Sequence, residues 1–429
     1  MYNHFAGSPV VNRAVSRPAS RREALKAGGL ALTGLALPRS LEASEVPLKP
    51  IAAITTVYYP YSHADLLIGK ILHGYDHAGG LGPRLRLPAM YMDKVHEQDI
   101  GLERAEQHGV SLVKTVEEAI TLGTNQVAVE GVLIIAELGD YPKNTKGQKY
   151  YPRARMFEDV VATFRKYGKV VPVFNDKHLA YNWHNAKWIY DTAREMKIPF
   201  MAGSSLPFFW RDPPLALPLG CEVEQAMAIG YSDLDSYAIH TMEALQCQLE
   251  RRKGGESGVS SVQTVTGDEV FRLEKEGKWS REMYHAIMAT FPPDKRGSPE
   301  EKLGRGQFIF IEYRDGFQAT LVQLEHNRQW GVAAKLKGRH KPLASWYKGL
   351  YTKGSPVFAH QFRAVEKMFL SGTPSFPVER TLLTTGIIDA AMTSRFEFQR
   401  RVETPHLDIQ YEPVDYPFPS GEVRPVTFG

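Results

Sequence analysis

The feature that most constrains the fold is an alternation of short apolar runs with amphipathic stretches between residues 50 and 210. The apolar runs end at turn residues, which is typical of strands buried on both faces of a sheet. The predicted strands are 51–57, 85–92, 110–114, 127–135, 170–174 and 199–202, and the predicted helices are 99–108, 116–122, 157–167 and 183–196. This alternation predicts a doubly wound, Rossmann-like α/β domain over residues 50–210.

From residue 211 the pattern changes to that of an α+β domain. A hairpin is predicted around Asp315-Gly316, because glycine accepts the positive φ of a tight turn. The predicted strands of this part are 258–265, 308–313, 317–324 and 330–336, and its predicted helices are 234–252, 359–370 and 379–399. We therefore expect a C-terminal α+β domain with a largely antiparallel open sheet over residues 211–410, used for substrate binding or oligomerisation. A proline-rich tail follows at 411–429.

Residues 1–43 have the composition of an export signal. Arg21-Arg22 precede the uncharged run 27–38, and Leu41-Glu42-Ala43 is suited to cleavage after a small residue. An arginine pair ahead of a weakly hydrophobic segment is read by the twin-arginine export machinery. The uncharged run is far shorter than the roughly 20 residues that span a bilayer. We predict a cleaved signal peptide and a periplasmic or extracellular mature protein without a membrane span.

The formal net charge of +4 comes from that segment, which holds six basic and two acidic residues, so the remaining chain is neutral. A neutral chain offers no basic surface for a nucleic acid, and we predict no nucleic-acid partner. The hydrophobic fraction of 43% and charged fraction of 23% are those of a globular protein. Cys221 and Cys247 form either one disulfide in an oxidising compartment or two buried thiols.

Several segments resemble the Gfo/Idh/MocA family, whose members mostly oxidise or reduce sugars and cyclitols with NAD or NADP. Residues 104–110 and 115–119 resemble the family's stretch after the second strand. Residues 171–178 resemble its fifth strand leading into the Glu-Lys-Pro motif, and 378–401 resemble its last long helix. The likeness covers most of residues 50–410. It implies an NAD(P)-dependent oxidoreductase with a sugar as small-molecule substrate, and it is compatible with a homo-oligomer.

The resemblance also implies catalytic residues. Lys177 lies at the family's substrate-binding and catalytic lysine, with Asp176 and His178 in place of its Glu and Pro. His240 lies at the histidine of the family's Asp-x-x-x-His motif, which acts as general acid and base. Oxidation of a secondary alcohol needs a base, a cation for the developing alkoxide and a hydride acceptor. His240 and Lys177 are the candidates for the first two.

The aspartate of that motif falls on Ser236, and Asp235 stands one residue too early to share a helix face with the histidine.

Ligands of open α/β sheets bind at the carboxyl ends of strands, and a carbohydrate site combines aromatic faces with carboxylates and imidazoles. The candidate substrate-binding residues are Tyr59, His63, Asp65, His184, Arg211, Asp235 and Tyr237.

The turn after the first predicted strand contains no glycine, although a dinucleotide site normally has a glycine-rich turn there. Residues 55–65 instead hold three tyrosines and a proline. Thr55 and Thr56 in this turn and Asp93 after the second strand, where an acid would hold a ribose, are the candidate cofactor-binding residues.

Two functions therefore stay open at this point. One is an NAD- or NADP-dependent sugar oxidoreductase. The other is a relative that has lost NAD(P) binding and acts as a carbohydrate-binding protein or as a cofactor-independent lyase or epimerase. Metal-binding residue types occur near the same turn, but without a defined motif, so we predict no metal site. They are His63, Asp65, His73, Asp76 and His77.

Overall fold

The apolar runs between residues 50 and 210 form a six-stranded parallel sheet in the computed structural model, which describes residues 47–293, 297–325, 328–349 and 355–419. The predicted signal peptide lies outside the described residues. The elements of this part are β1 (Lys49–Thr55), α1 (His63–His73), β2 (Leu85–Met92), α2 (Gly101–His108), β3 (Ser111–Val113), α3 (Val116–Thr121), β4 (Val132–Ile135), α4 (Arg153–Tyr167), β5 (Val173–Asp176), α5 (Trp183–Glu195) and β6 (Phe200–Gly203).

The strand order is β3-β2-β1-β4-β5-β6, and every pair is parallel. This is the order of a Rossmann fold, with the switch point between β1 and β4. All four residues of β4 are buried, which explains why a central strand reads as an uninterrupted apolar run. The sequence prediction of a doubly wound α/β part is confirmed.

Local side-chain signals set where the helices begin. Ser62 caps α1 by accepting a hydrogen bond from the Asp65 N–H at 3.2 Å. Thr115 and Glu118 form a capping box at the start of α3, in which each side chain accepts from the other residue's backbone N–H. These caps fix the helix starts near the carboxyl ends of the strands.

The second part contains an eight-stranded sheet of order β14-β9-β10-β11-β8-β12-β13-β7, in which β8 and β11 are parallel and the other pairs antiparallel. Its elements are β7 (Trp210–Asp212), β8 (Val223–Tyr231), α6 (Ala238–Leu249), β9 (Val259–Val265), α7 (Asp268–Lys275), α8 (Arg281–Met288), α9 (Pro299–Leu303), β10 (Gln307–Tyr313), β11 (Gln318–Leu324), β12 (Trp330–Leu336), β13 (Leu343–Lys348), α10 (Pro356–Ser371), α11 (Glu379–Phe396) and β14 (Val402–Glu403). The predicted open, largely antiparallel sheet is confirmed, and so is its hairpin, where Gly316 has a φ of 85°.

Helices α6 and α11 pack against each other between the two sheets, and their apolar faces belong to one continuous hydrophobic core. α11 contacts α5 of the first part and β9 of the second. α6 is buried along its whole length, and His240 in its first turn contacts Ser204, which follows β6 of the parallel sheet.

The structure also has elements that the sequence patterns do not predict. α1 lies where the sequence indicates only an aromatic and polar turn. Its buried residues are Ala64 and Leu66 to Lys70, which include a short apolar run. α6 is shorter than the predicted helix 234–252.

Both cysteines are thiols, with Cys247 buried and Cys221 half-buried. Within the described residues, none of the helices has the length and apolar character needed to cross a membrane.

Candidate functional site

Five side chains come together at the carboxyl ends of β1, β4 and β5 and the start of α6. We call them the strand-end cluster: His63, Glu137, Asp176, Lys177 and His240. His63 opens α1 after the β1 turn, Glu137 follows β4, Asp176 ends β5 and Lys177 comes next. His240 lies in the first turn of α6. Parallel strands bring their carboxyl ends to one edge of a sheet, so residues distant in sequence become neighbours here.

The contacts within the cluster are short. His63 Nδ1 lies 2.6 Å from Asp176 Oδ2 and 3.6 Å from Glu137 Oε1. The Lys177 ammonium forms an ion pair with the other oxygen of Glu137, Oε2. The side chains of Asp176, Glu137, Lys177 and His63 are 0%, 2%, 8% and 12% exposed, so water screens these charges poorly.

The backbone at Lys177 is in the left-handed region, with a φ of 61°. A residue with a side chain enters this region at an energetic cost, which is commonly found where a functional group must be presented in one direction. The Lys177 N–H donates to the Gly203 carbonyl at 3.1 Å, and this bond holds the β5 end against β6. Gly203 has a φ of 132°, which residues with a side chain rarely adopt, and a Cβ there would lie 2.7 Å from Glu243 Oε2.

His240 is fixed by a chain of hydrogen bonds. Its Nδ1 lies 2.6 Å from Ser204 Oγ, which itself accepts from the Leu206 N–H at 3.0 Å. The Ser204 N–H donates to Glu243 Oε2 at 2.9 Å. Because Ser204 follows β6 and Glu243 lies on α6, this network ties the histidine to the parallel sheet. The ring centroids of His240 and His63 are 6.0 Å apart.

Burial and neighbouring charge set the protonation states. Burial disfavours the charged form of Glu137, but the nearby His63 and Lys177 outweigh it and hold the pKa of this carboxyl below its ordinary value. Burial likewise disfavours the Lys177 ammonium, yet Glu137 and Asp176 raise its pKa above the ordinary value. Burial and the charge of Lys177 lower the pKa of His240 well below its ordinary value. The cluster thus combines a charged lysine with a neutral histidine.

Other predicted residues surround the cluster. His178 Nε2 lies 3.3 Å from a guanidinium nitrogen of the buried Arg153, and burial lowers the pKa of this imidazole well below its ordinary value. The ring centroid of Tyr237 is 6.0 Å from Lys177 Nζ. The ring of Tyr59 stacks on the imidazole of His96, with their centroids 4.3 Å apart. Burial together with Glu137 raises the pKa of the Tyr59 hydroxyl. Asp235 accepts a hydrogen bond from the Lys149 N–H at 3.0 Å, and burial raises the pKa of the Asp235 carboxyl.

Three predicted substrate-binding residues have their contacts elsewhere. Asp65 accepts a hydrogen bond at 2.9 Å from the Tyr61 N–H, in the turn before α1. Arg211 donates to the Leu215 carbonyl at 2.7 Å and to the Pro207 carbonyl at 2.8 Å. His184 is exposed in the first turn of α5. The structure does not bring these side chains to the cluster.

The start of α1, where a Rossmann domain holds the diphosphate of its cofactor, is occupied by groups of the protein itself. Ser62 Oγ accepts from the N–H groups of Asp65 and Tyr59 at 3.2 and 3.3 Å. Glu137 Oε1 accepts from the His63 N–H at 3.4 Å. A carboxylate at this position repels a diphosphate, and it uses the N–H that the diphosphate would need.

The other candidate cofactor residues are also engaged. Asp93 accepts hydrogen bonds from Tyr91 at 2.9 Å, from Tyr141 at 2.7 Å and from Arg155 at 2.5 Å. The Thr55 hydroxyl donates to the carbonyls of residues 57 and 135, and the Thr56 hydroxyl donates to the Glu137 carbonyl. The residues present do not fit NAD or NADP bound in the usual manner of a Rossmann domain.

Glu137 and Arg153 are functional candidates that the sequence patterns do not indicate. Glu137 follows the predicted strand 127–135 by two residues. Because ligands of open α/β sheets bind at the carboxyl ends of strands, this position could have indicated it. Arg153 carries no such signal, because its burial and its contact with His178 arise only in the folded chain. Ser204 matters through its contact with His240, which only the folded chain reveals.

No protein-family model and no curated protein matches the sequence. Solved structures do match the fold. GenD2 of gentamicin A biosynthesis, in complex with NAD, has a TM-score of 0.52 at 14% identity, and the match covers 86% of this chain and 99% of that one. The myo-inositol dehydrogenase of Lactobacillus casei, in complex with NAD(H) and myo-inositol, has a TM-score of 0.51 at 12% identity, covering 83% and 96%.

The apo scyllo-inositol dehydrogenase of the same organism has a TM-score of 0.51 at 10% identity, covering 83% of this chain and 99% of that one. These neighbours are NAD-binding oxidoreductases of the Gfo/Idh/MocA type. At such low identities the likeness shows the two-part fold.

Proposed function

We propose that the protein is an enzyme that moves a proton at a carbon atom of a sugar or sugar derivative without NAD(P), as an epimerase or a lyase. The observation that carries this proposal is the placement of Glu137. Its carboxylate accepts from the start of α1, where a diphosphate would bind, and it also pairs with Lys177. The same side chain thus opposes nucleotide binding and belongs to the cluster of acid and base groups.

The protonation states support proton transfer next to a carbonyl group. The charged Lys177 would stabilise the negative charge that develops on the carbonyl oxygen when the adjacent carbon loses its proton. The neutral His240 would take that proton. Return of the proton to the opposite face of the carbon gives an epimer. Loss of a hydroxyl from the next carbon, with a proton to form water, gives an unsaturated product.

A second candidate is an NAD(P)-dependent sugar oxidoreductase. The observation that favours it is the fold likeness to dehydrogenases solved with NAD, together with a Rossmann strand order and the placement of Lys177 and His240 in one cluster. It needs a diphosphate site different from the one at the start of α1.

Two measurements separate the candidates. The purified protein is denatured, and the supernatant is analysed for NAD and NADP by mass spectrometry. Separately, keto- and aldo-sugars are incubated with the protein in deuterium oxide, and exchange at the carbon next to the carbonyl is followed by NMR. We expect no stoichiometric nucleotide and enzyme-dependent deuterium exchange.

Lys177→Met should slow that exchange by about 100-fold or more, because it removes the charge that stabilises the developing oxyanion. Lys187→Met is the matched control, since Lys187 is exposed on α5 and pairs with Asp191 in the next turn. Stoichiometric nucleotide in the supernatant would contradict the proposal and favour the oxidoreductase.

We also propose that the mature protein is periplasmic or extracellular after twin-arginine export. The arginine pair Arg21-Arg22 and the short uncharged run behind it support this proposal.

A further inference from the structure

We propose that His63, Glu137 and Asp176 bind one divalent transition-metal ion. Each of the three offers a ligand atom, and these atoms all lie within 4.8 Å of one another. They come from three separate elements, the start of α1, the residues after β4 and the end of β5. All three lie at one edge of the parallel sheet, beside the ends of its strands, and this rigid support favours a preformed site.

The distances fit ligands around a single ion. His63 Nδ1 is 2.6 Å from Asp176 Oδ2 and 3.6 Å from Glu137 Oε1. Nitrogen and oxygen ligands of a zinc-sized ion lie about 2.0 to 2.2 Å from the metal, which separates neighbouring ligands by about 3 Å. Small movements of the imidazole would therefore place an ion between the three groups.

A second observation points to a missing ligand. Asp176 is fully buried, and its Oδ1 has no hydrogen-bond partner in the part of the chain that the structure describes. A buried carboxylate oxygen without a partner is costly, and such atoms are rare in folded proteins. Its sister atom Oδ2 is the one that contacts His63, so the unpaired oxygen belongs to the same carboxylate that faces the cluster. A bound cation would satisfy it.

The donor set and the local charge define the ion. One imidazole with two carboxylates suits borderline ions such as Mn²⁺, Fe²⁺ or Zn²⁺ better than Mg²⁺ or Ca²⁺, which take oxygen ligands alone. The ammonium of Lys177 pairs with Glu137 Oε2, so Oε1 is the oxygen that faces His63.

The bound ion would have coordination positions left for two neighbouring oxygen atoms of a substrate. This role deepens the proposed function and rests on it, whereas binding of the ion does not. An ion at this place would polarise a carbonyl oxygen beside Lys177 and His240. The experiment therefore measures binding in the absence of substrate.

The test is a titration of the chelator-stripped protein with Mn²⁺, in which electron paramagnetic resonance follows the free ion. We expect about one ion per chain, displaced by Zn²⁺ and not by equimolar Mg²⁺. Asp176→Asn and His63→Ala should each weaken binding at least tenfold, as loss of a ligand requires. His285→Ala is the matched control, because this histidine is exposed on α8.

Failure of the wild-type protein to bind Mn²⁺ or Zn²⁺ would overturn the proposal, and so would unchanged binding in both ligand variants. If Asp176→Asn does not fold, the test uses His63→Gln, which keeps a polar side chain at the start of α1. Failure of the deuterium exchange with intact metal binding would overturn the proposed function alone.

Discussion

At the scale of single residues, the buried ion pair between Lys177 and Glu137 is expected to have a large effect on stability. Lys177→Met leaves the Glu137 carboxylate buried without its partner, and we expect a loss of about 3–5 kcal/mol in the free energy of unfolding. The double variant Glu137→Gln/Lys177→Met should recover part of this loss, because it leaves no unpaired charge. Urea unfolding with chelator present measures both.

The control for this cycle is Lys187→Met, whose exposed ion pair with Asp191 should contribute less than about 1 kcal/mol. If Lys177→Met alone has the stability of the wild type, the Lys177 ammonium does not stabilise the buried Glu137 carboxylate. The electrostatic account of the cluster would then be wrong.

Glu243 couples the stability of the site to pH. Burial raises the pKa of its carboxyl to about 7, although Arg380 and a hydrogen bond from Thr381 oppose the shift. The folded state then keeps a proton that the unfolded state releases, so the free energy of unfolding falls as pH rises between the ordinary pKa of a glutamate and about 7. We expect a loss of about 2 to 3 kcal/mol from pH 5 to pH 8.

Glu243→Gln should remove that part of the pH dependence while keeping hydrogen bonds to Ser204 and Thr381, because an amide offers both an acceptor and a donor. Urea unfolding of both proteins at pH 5 and pH 8 gives the difference. An identical pH dependence in the variant would show that Glu243 is already ionised at pH 5.

Some site residues were predictable from the sequence and others were not. Lys177 and His240 follow from the resemblance, and the structure brings both into one cluster with Asp176. Glu137 was not predicted, because it lies in the loop after β4 and belongs to no motif. Arg211 was predicted as a substrate ligand, yet its guanidinium is bound by backbone carbonyls, and a sequence does not reveal whether a charged side chain turns inward.

At the scale of elements, α11 depends on the absence of a side chain at Gly386. A Cβ there would clash with Leu407 and would lie 3.0 Å from the ring of Trp183. We expect Gly386→Ala to lower the free energy of unfolding by about 1–3 kcal/mol, since overpacking outweighs the better helix propensity of alanine. The same substitution at Gly304, where a Cβ meets open space, should raise it by about 0.4–1 kcal/mol.

Both variants are measured by thermal and urea unfolding. Equal effects of the two substitutions would mean that α11 moves enough to accept the methyl group. The tight packing inferred between α11, α5 and the segment after β14 would then be wrong.

Elements were predictable where one physical signal dominated. The bounds of β2 and β12 agree with the predicted ones, because turn residues border both runs. α1 was not predicted, since aromatic residues and a proline before it indicate a turn and its apolar face is short. β8 begins with exposed polar residues and ends in a buried run, so its first half does not have the pattern of a strand.

At the scale of the whole molecule, the alternation of strands and helices predicted a Rossmann-like parallel sheet, and the structure has the strand order of that fold. Right-handed crossovers restrict the possible orders, and long-range packing selects among them. The resulting fold is shared with dehydrogenases at 10–14% identity, although the turn before α1 differs from a nucleotide-binding turn. Fold and cofactor use are therefore separate questions for this chain.

The last prediction concerns the arginine pair. In a bacterial host with the twin-arginine machinery, we expect the protein to reach the periplasm with residues 1–43 removed, so that its N-terminus is Ser44. Arg21→Lys/Arg22→Lys should keep the full-length chain in the cytoplasm, although the charge of the segment is unchanged. Immunoblots of cell fractions and N-terminal sequencing measure both outcomes.

The matched control is Arg13→Lys/Arg17→Lys, which makes the same exchange in the same segment but outside the pair. If recognition depends on the guanidinium groups of the pair, this control is exported like the wild type. If it depends on positive charge alone, all three proteins are exported equally, because lysine keeps that charge. Equal export would contradict the twin-arginine proposal and favour a general secretion signal, whereas retention of the Arg21→Lys/Arg22→Lys variant alone supports it.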